Sequence, residues 1–329
     1  MIITCTGYGS TGSSAISDLF KEFDTVSSYG DFEFRFLQDP YGLFDLEHAL
    51  LHKNNRLNVD YYIKRFIAYS QNLSASYVYN YEKKFNGKFL VHTENFVDKL
   101  LDVQWKGFWH QDVLNSSAPK KMVYYAERIF QKYIMRYEYS SSKLFKNTMY
   151  YSNPDSEFFY SCCREYTESL FNDFCESNTG TILVDQLVPP DHISNYSKYF
   201  NDLKVIVVDR DPRDLFYLEK YKYKHSWVPY ENVEEFVLWY KLIRKDQHKE
   251  VSQDNAFLIN FEDLIFNYEA TVLKLVNFLN LDLRSWKFKK KYFNPDLSKK
   301  NTRAWLNDAN CKDEISYIEA ELQEFLYFK

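Results

Sequence analysis

The sequence predicts an α/β fold of three layers built on a parallel sheet, and three observations lead there. The runs Thr181–Asp185 and Lys204–Asp209 are short, β-branched and apolar without alternation, the pattern of strands buried on both faces. Helical stripes lie between and after such runs, and strands alternating with helices imply a layered parallel sheet. A third strand-like run, Met1–Thr6, passes through a glycine-rich loop into an apolar-periodic helix. At 329 residues the chain has the length of two average domains. No linker, repeat or low-complexity tract divides it, so one domain over 1–329 is expected.

Taken in order, Met1–Thr6 is the first strand, and Ile16, Leu19 and Phe20 mark the helix after the loop. Phe32–Leu37 (FEFRFL) alternates and reads as a short strand. Residues from about 45 to 175 carry almost no strand signal and read as a large helical insertion. Within it Met122, Tyr125, Ala126, Ile129, Phe130 and Tyr133 repeat as one helix face, expected to pack into a core. The two buried strands follow. Val233, Phe236, Val237 and Tyr240 mark a helix with Asn232 as its N-cap and Glu235 three residues on. Asn255–Phe261 is a further strand. Val272, Leu275, Val276 and Leu279 mark one more helix, and Ile315, Ile318, Leu322 and Phe325 a C-terminal one.

Charge and composition narrow the function. With 41 Lys+Arg against 46 Asp+Glu the net charge is −5, which disfavours nucleic acid as a partner, since phosphate neutralisation calls for a basic protein. A local basic pocket for a small anion stays compatible. Aromatic residues reach 19%, but they are spread along the chain and read as core filling under a coding bias rather than as sugar-stacking platforms. Five cysteines, Cys5, Cys162, Cys163, Cys175 and Cys311, are odd in number and irregular in spacing, so neither a disulfide framework nor a zinc set is expected. No metal site is expected elsewhere. No apolar run is long enough for a membrane span. The opening MIITCTGYG reads as strand and turn rather than as a signal peptide, and the expectation is a cytoplasmic protein.

The loop Gly7-Tyr8-Gly9-Ser10-Thr11-Gly12-Ser13-Ser14 is the most informative segment. Glycine there frees the backbone for positive φ and close approach. N–H groups converging before a helix, with hydroxyls beside them, make an anion cradle. The bland alternative is a tight strand-to-helix turn without a ligand. The loop is P-loop-like, a near miss to G-x-x-x-x-G-K-[ST] with Ser13 in place of the lysine. An ATP-dependent small-molecule kinase, with Asp209 holding magnesium, stays open on this evidence.

A second segment runs from the strand Val205–Asp209 into Arg210-Asp211-Pro212-Arg213-Asp214. Arg210 falls at the carboxyl end of a buried strand, the edge at which open α/β sheets bind ligands. Arginine suits bidentate phosphate capture. Pro212 suits the first turn of the next helix and Asp214 its dipole.

These segments resemble the sulfotransferases that use 3′-phosphoadenosine 5′-phosphosulfate (PAPS). The loop after strand one and the Arg-Asp-Pro-Arg-Asp run carry the likeness. Ile259-Asn260-Phe261-Glu262-Asp263-Leu264 with the helix and Asn280-Leu281 after it adds to it, as does Ser298-Lys299-Lys300-Asn301-Thr302-Arg303-Ala304-Trp305. The resemblance covers both ends of the chain and misses the helical middle. It implies PAPS as donor co-substrate, without a metal. Gly9, Ser10, Thr11, Gly12, Ser13 and Ser14 would hold the 5′-phosphosulfate, and Arg210 the 3′-phosphate. The C-terminal segment with Lys300, Arg303 and Trp305 would close over the nucleotide. Phe32-Glu33-Phe34-Arg35-Phe36 is similar to a segment of the glycan-acting branch in which a glutamate is the base. That implies Glu33 as base, with Arg35 beside it, and a carbohydrate hydroxyl as acceptor. A nucleotide- or glycan-binding protein without turnover is a further alternative.

Two positions depart from the family pattern. Ser10 stands where a lysine or arginine is usual, so Arg35 or Arg213 is a candidate to supply the missing charge. Leu218 stands where a serine helps hold the 3′-phosphate, with Lys222, Lys224 or Ser226 as substitutes. Asp185, at the end of a buried strand, is a candidate for orienting the acceptor or acting as base. His192 and His110 are lone histidines, expected to be structural or surface residues.

Overall fold

A computed structural model describes residues 1–136, 145–173 and 180–327; Cys175 lies outside them. By contact the chain divides into two compact units, one of Met1–Gln38 with Phe171–Lys329 and one of Asp39–Leu170. The strands are β1 (Ile2–Gly7), β2 (Val26–Glu33), β3 (Val103–Gly107), β4 (Asn147–Tyr151), β5 (Thr181–Asp185), β6 (Leu203–Asp209) and β7 (Ala256–Asn260). In the first unit five strands form a wholly parallel sheet in the order β2-β5-β1-β6-β7.

The sheet is buried on both faces, as its apolar runs require. Ile3, Cys5, Leu183, Ile206 and Val208 pack under the helix Ser14–Phe20 (α1) and the helix Tyr268–Phe278, through Ile16, Leu19, Phe20, Val272, Leu275 and Val276. Val205 and Val207 alternate to the opposite face and are equally buried. Each such fully buried aliphatic or aromatic side chain contributes about 1.5–3 kcal/mol. A second cluster joins Leu215 and Phe216 of the helix Pro212–Leu218 with Phe236, Val237 and Tyr240 of Val233–Ile243. It is completed by Ile315 and Ile318 of Lys312–Glu321. Asn232 caps its helix as expected, its Oδ1 accepting from Glu234 N at 2.8 Å and Glu235 N at 3.1 Å.

Three expectations need correction. The strand near Phe32–Leu37 is β2, which runs Val26–Glu33 with a register shift between Ser28 and Glu33 and ends where Glu33 pairs with Asp185, the last residue of β5. Phe34 and Phe36 are nonetheless buried, and their burial produced the alternation. The middle of the chain is helical, with Arg56–Ala75, Phe89–Leu100, Ala118–Tyr133 and Ser156–Asn172 its longest helices, but it also holds the antiparallel pair β3–β4. That pair has little buried apolar surface on β3, which hid it from a pattern search. The stripe on Ala118–Tyr133 faces solvent instead of a core. Its buried side belongs to Tyr124, on which Phe108 stacks at 5.5 Å and which Phe145 meets edge-on at 5.8 Å, and to Gln131.

Within the second unit aromatic contacts carry the packing. Phe96 stacks on Tyr166 at 4.7 Å, and the Tyr166 hydroxyl meets Thr93 Oγ1 at 2.8 Å. Among the described residues the largest fully buried side chains are all Tyr or Phe, so the aromatic richness fills cores.

Candidate active site at the carboxyl edge of the sheet

The order β5-β1-β6 puts the strand that leads into the glycine loop beside the strand that leads into Arg210, with Gly7 opposite Val208. This is the crevice in which open α/β sheets bind ligands. Gly7 lets the loop fold tightly: a Cβ there would lie 2.9 Å from Val208 O and 2.0 Å from Thr11 Oγ1. Thr11 is therefore tucked under the loop, almost wholly buried. Gly12 has φ +97°, and a Cβ on it would meet the Phe261 ring at 2.7 Å. Among the described residues none accepts a hydrogen bond from the N–H groups of Gly9, Ser10, Thr11, Gly12, Ser13 or Ser14. A run of unpaired donors of this kind fits an anion.

Arg210 closes the other side. It is 5% exposed and lies over the Phe261 ring at 4.7 Å. Its Nη1 donates to Ser10 O at 3.4 Å, its Nη2 donates to Asn301 O, and its Nε has no partner among the described residues. The guanidinium thus touches both the glycine loop and the 298–305 segment, with one buried donor left over. Lys222 Nζ reaches the same turn, 2.9 Å from Asn301 Oδ1. The segment is pinned by Asp214, whose carboxylate accepts from Arg303 N at 2.8 Å and Ala304 N at 2.9 Å. Lys300 is exposed, Arg303 lies 5.5 Å from the Phe266 ring, and Trp305 lies 4.8 Å from the Arg213 guanidinium. Leu218 is buried.

Asp185 ends β5 beside the loop. Cys5 Sγ donates to its Oδ1 at 3.2 Å, and Gln186 Nε2 donates to Ser13 Oγ at 3.0 Å. Burial pushes the Asp185 carboxyl up to about 7; the bonds from Cys5 and Ser13 oppose this and the Glu33 carboxylate adds to it. Burial, and then the nearness of Asp185, also raise the Cys5 thiol. Glu33 and Arg35 are both about half exposed, with Nη1 3.9 Å from Oε2.

Sequence reasoning missed His225. Its Nδ1 lies 3.3 Å from Ser10 Oγ and 3.0 Å from Oε1 of the wholly buried Glu219, and Glu219 Oε2 accepts from His225 N at 3.0 Å. The ring is sandwiched, with Trp227 at 4.3 Å and Tyr223 at 5.7 Å. The one signal available was the alternation Tyr223-x-His225-x-Trp227, an aromatic rhythm on a polar stretch. Arg213, one of the two candidates for the missing charge, is buried and committed. It pairs with Asp211 and Glu319, each at 2.7 Å.

Asp209, the candidate magnesium ligand, is also committed. Arg244 donates to it at 2.7–3.1 Å through Nε and Nη2, and Gln247 Nε2 at 2.7 Å. Burial raises its carboxyl, but the Arg244 guanidinium outweighs that and holds it below the usual range. His192 stands exposed ahead of the short helix Ile193–Ser197, and His110 lies 6.1 Å from the Tyr124 ring.

No family model and no curated protein sequence matches the chain. Among solved structures it is similar to the sulfotransferase domain of the Synechococcus olefin synthase, with TM-score 0.42 and 12% identity over 97% of this chain and 93% of that one. The sulfotransferase domain from the curacin biosynthetic pathway matches at TM-score 0.42 and 12% identity, over 98% and 97%. Retinol dehydratase, solved with androsterone and inactive cofactor PAP, matches at TM-score 0.32 and 12% identity, over 100% and 81%. Likeness at this level says nothing about activity.

Proposed function

We propose that the protein is a PAPS-dependent sulfotransferase that moves a sulfuryl group to an acceptor hydroxyl, with a carbohydrate as the acceptor. The observation that carries this reading is Arg210, a buried guanidinium that bridges the glycine loop and the 298–305 turn and keeps its Nε unpaired. Two anion-binding elements at one sheet edge suit a nucleotide with a phosphate at each end, and Lys222 adds a second cation at the Arg210 end. PAPS supplies the activated sulfuryl group. The unpaired N–H groups of Gly9–Ser14 hold the anion that is transferred, by preorganised donors. His225 places an imidazole at Ser10, where the loop itself has only a hydroxyl. Glu33 takes the proton from the acceptor hydroxyl, and Arg35 keeps that carboxylate oriented. Asp185, paired with Glu33 across the β2–β5 ladder, stands as a second carboxyl in the site. The carbohydrate acceptor follows from the Glu33 pattern of the glycan-acting branch.

The kinase alternative is weakened by Asp209, whose oxygens are occupied by Arg244 and Gln247. Titration calorimetry with 3′,5′-adenosine bisphosphate, and separately with ATP and Mg²⁺, decides between the two. Bisphosphate binding is expected, reduced about tenfold to a hundredfold in Arg210→Ala, the range for losing charge-assisted hydrogen bonds. Preference for ATP with Mg²⁺, or bisphosphate binding indifferent to Arg210, would overturn the reading.

A further inference from the structure

The helix Ala118–Tyr133 is set the wrong way round for a helix of a water-exposed surface. A soluble helix turns its apolar stripe to a core and its polar side to water. Here Met122 is 72% exposed, Ile129 60% and Tyr133 69%, one face at i, i+7 and i+11, with Tyr125 and Phe130 half exposed beside them. Ile134 and Met135 extend it. The inward side carries Tyr124 and Gln131. Gln131 is buried there, donating to Glu127 Oε1 at 3.1 Å and accepting from Arg128 Nη1 at 3.1 Å. Those polar groups are satisfied where they are, so the apolar face is directed outward.

Charge identifies what covers it. Between Ala118 and Arg136 stand Lys120, Lys121, Arg128, Lys132 and Arg136 against Glu127 alone, in a chain whose net charge is −5. A second copy of this face would bring like charges together, which is unfavourable. An anionic bilayer takes both halves of the pattern, since the apolar stripe enters the headgroup boundary and the exposed Lys120, Lys132 and Arg136 meet the lipid phosphates, Arg128 being bonded inward to Gln131. We infer that Ala118–Tyr133 is an interfacial helix that lays the protein on an anionic membrane surface. Among the described residues no helix is long and apolar enough to cross a membrane, so the attachment is peripheral. It does not depend on the chemistry proposed for the sheet edge.

Co-sedimentation of the full chain with phosphatidylcholine vesicles, with and without phosphatidylserine, tests this. Binding is expected only with phosphatidylserine and should fall as salt is added. Lys121→Glu/Lys132→Glu should weaken it by about tenfold or more. Ile129→Glu/Phe130→Glu should abolish it with an unchanged circular dichroism spectrum and melting temperature, because both side chains are exposed. No binding to the anionic vesicles would overturn the inference, and so would full binding by the Ile129→Glu/Phe130→Glu variant. A wild-type dimer in analytical ultracentrifugation that becomes monomeric in that variant would overturn it too, by assigning the face to a second copy.

Discussion

Ser10 Oγ and His225 Nδ1 lie 3.3 Å apart although 215 residues separate them in the chain. Ser10 sits in the glycine loop with φ +54°, and the buried carboxylate of Glu219 lies 3.0 Å from the same His225 nitrogen. The imidazole is thus fixed where the loop lacks a charged side chain. His225→Ala is expected to lower kcat about a hundredfold, the loss typical of removing one preorganised donor, while bisphosphate affinity falls much less. Adding Ser10→Lys to that variant should recover part of the loss. Unchanged turnover in His225→Ala would remove His225 from the mechanism.

Asp185 makes stability depend on pH. Its folded value of about 7 lies above the ordinary 3.8, so the native state keeps a proton that the unfolded chain releases. Stability from this group is therefore highest below pH 4 and declines as pH rises toward 7. Asp185→Asn removes the burden and should stabilise the protein at pH 8 by ~4 kcal/mol at most, with little effect at pH 4. Glu262, pushed up to about 8 by burial, acts in the same direction, so a slope should persist in Asp185→Asn and flatten further in Glu262→Gln. Urea unfolding at several pH values measures both. Equal effects at pH 4 and pH 8 would contradict the assignment.

Gly12→Ala tests the packing of the loop. The new Cβ would stand 2.7 Å from the Phe261 ring on a backbone at φ +97°, and should cost about 1–3 kcal/mol. Phe261 is also the platform under Arg210. Bisphosphate affinity is thus expected to fall more than stability alone explains. Calorimetry on the folded variant reads the first effect and denaturant unfolding the second.

Glu22 is a buried carboxylate with a purely structural task. It accepts from Trp286 Nε1 at 2.8 Å, Tyr268 OH at 3.0 Å, Phe293 N at 3.1 Å and Tyr292 N at 3.2 Å. Glu22→Ala leaves these donors unpaired and should destabilise by about 3 kcal/mol or more. Activity per folded molecule is expected to be retained, and a loss of kcat at full folding would show that Glu22 does more than staple.

Much of the sheet was legible because burial on both faces leaves a local mark. Thr181–Asp185 and Lys204–Asp209 read as strands from composition alone, and the structure places them at Thr181–Asp185 and Leu203–Asp209. The glycine loop and Arg210 were legible for a related reason, since tight turns and strand ends demand particular residue types. β3–β4 and the bulge in β2 were not. Their residues are exposed or irregular, so no periodicity reports them.

What the sequence by itself determined is which segments become strands and helices and which residues stand at the strand ends, because backbone geometry and burial act over a few neighbouring residues. Only the tertiary structure decided the rest. The strand order β2-β5-β1-β6-β7 brings Arg210 to Ser10 and Asn301, sets His225 on the loop and buries Asp185 beside Glu33. It also turned the stripe of Ala118–Tyr133 outward. A periodic pattern states that a helix has an apolar face, but what that face meets depends on contacts between residues far apart in the chain.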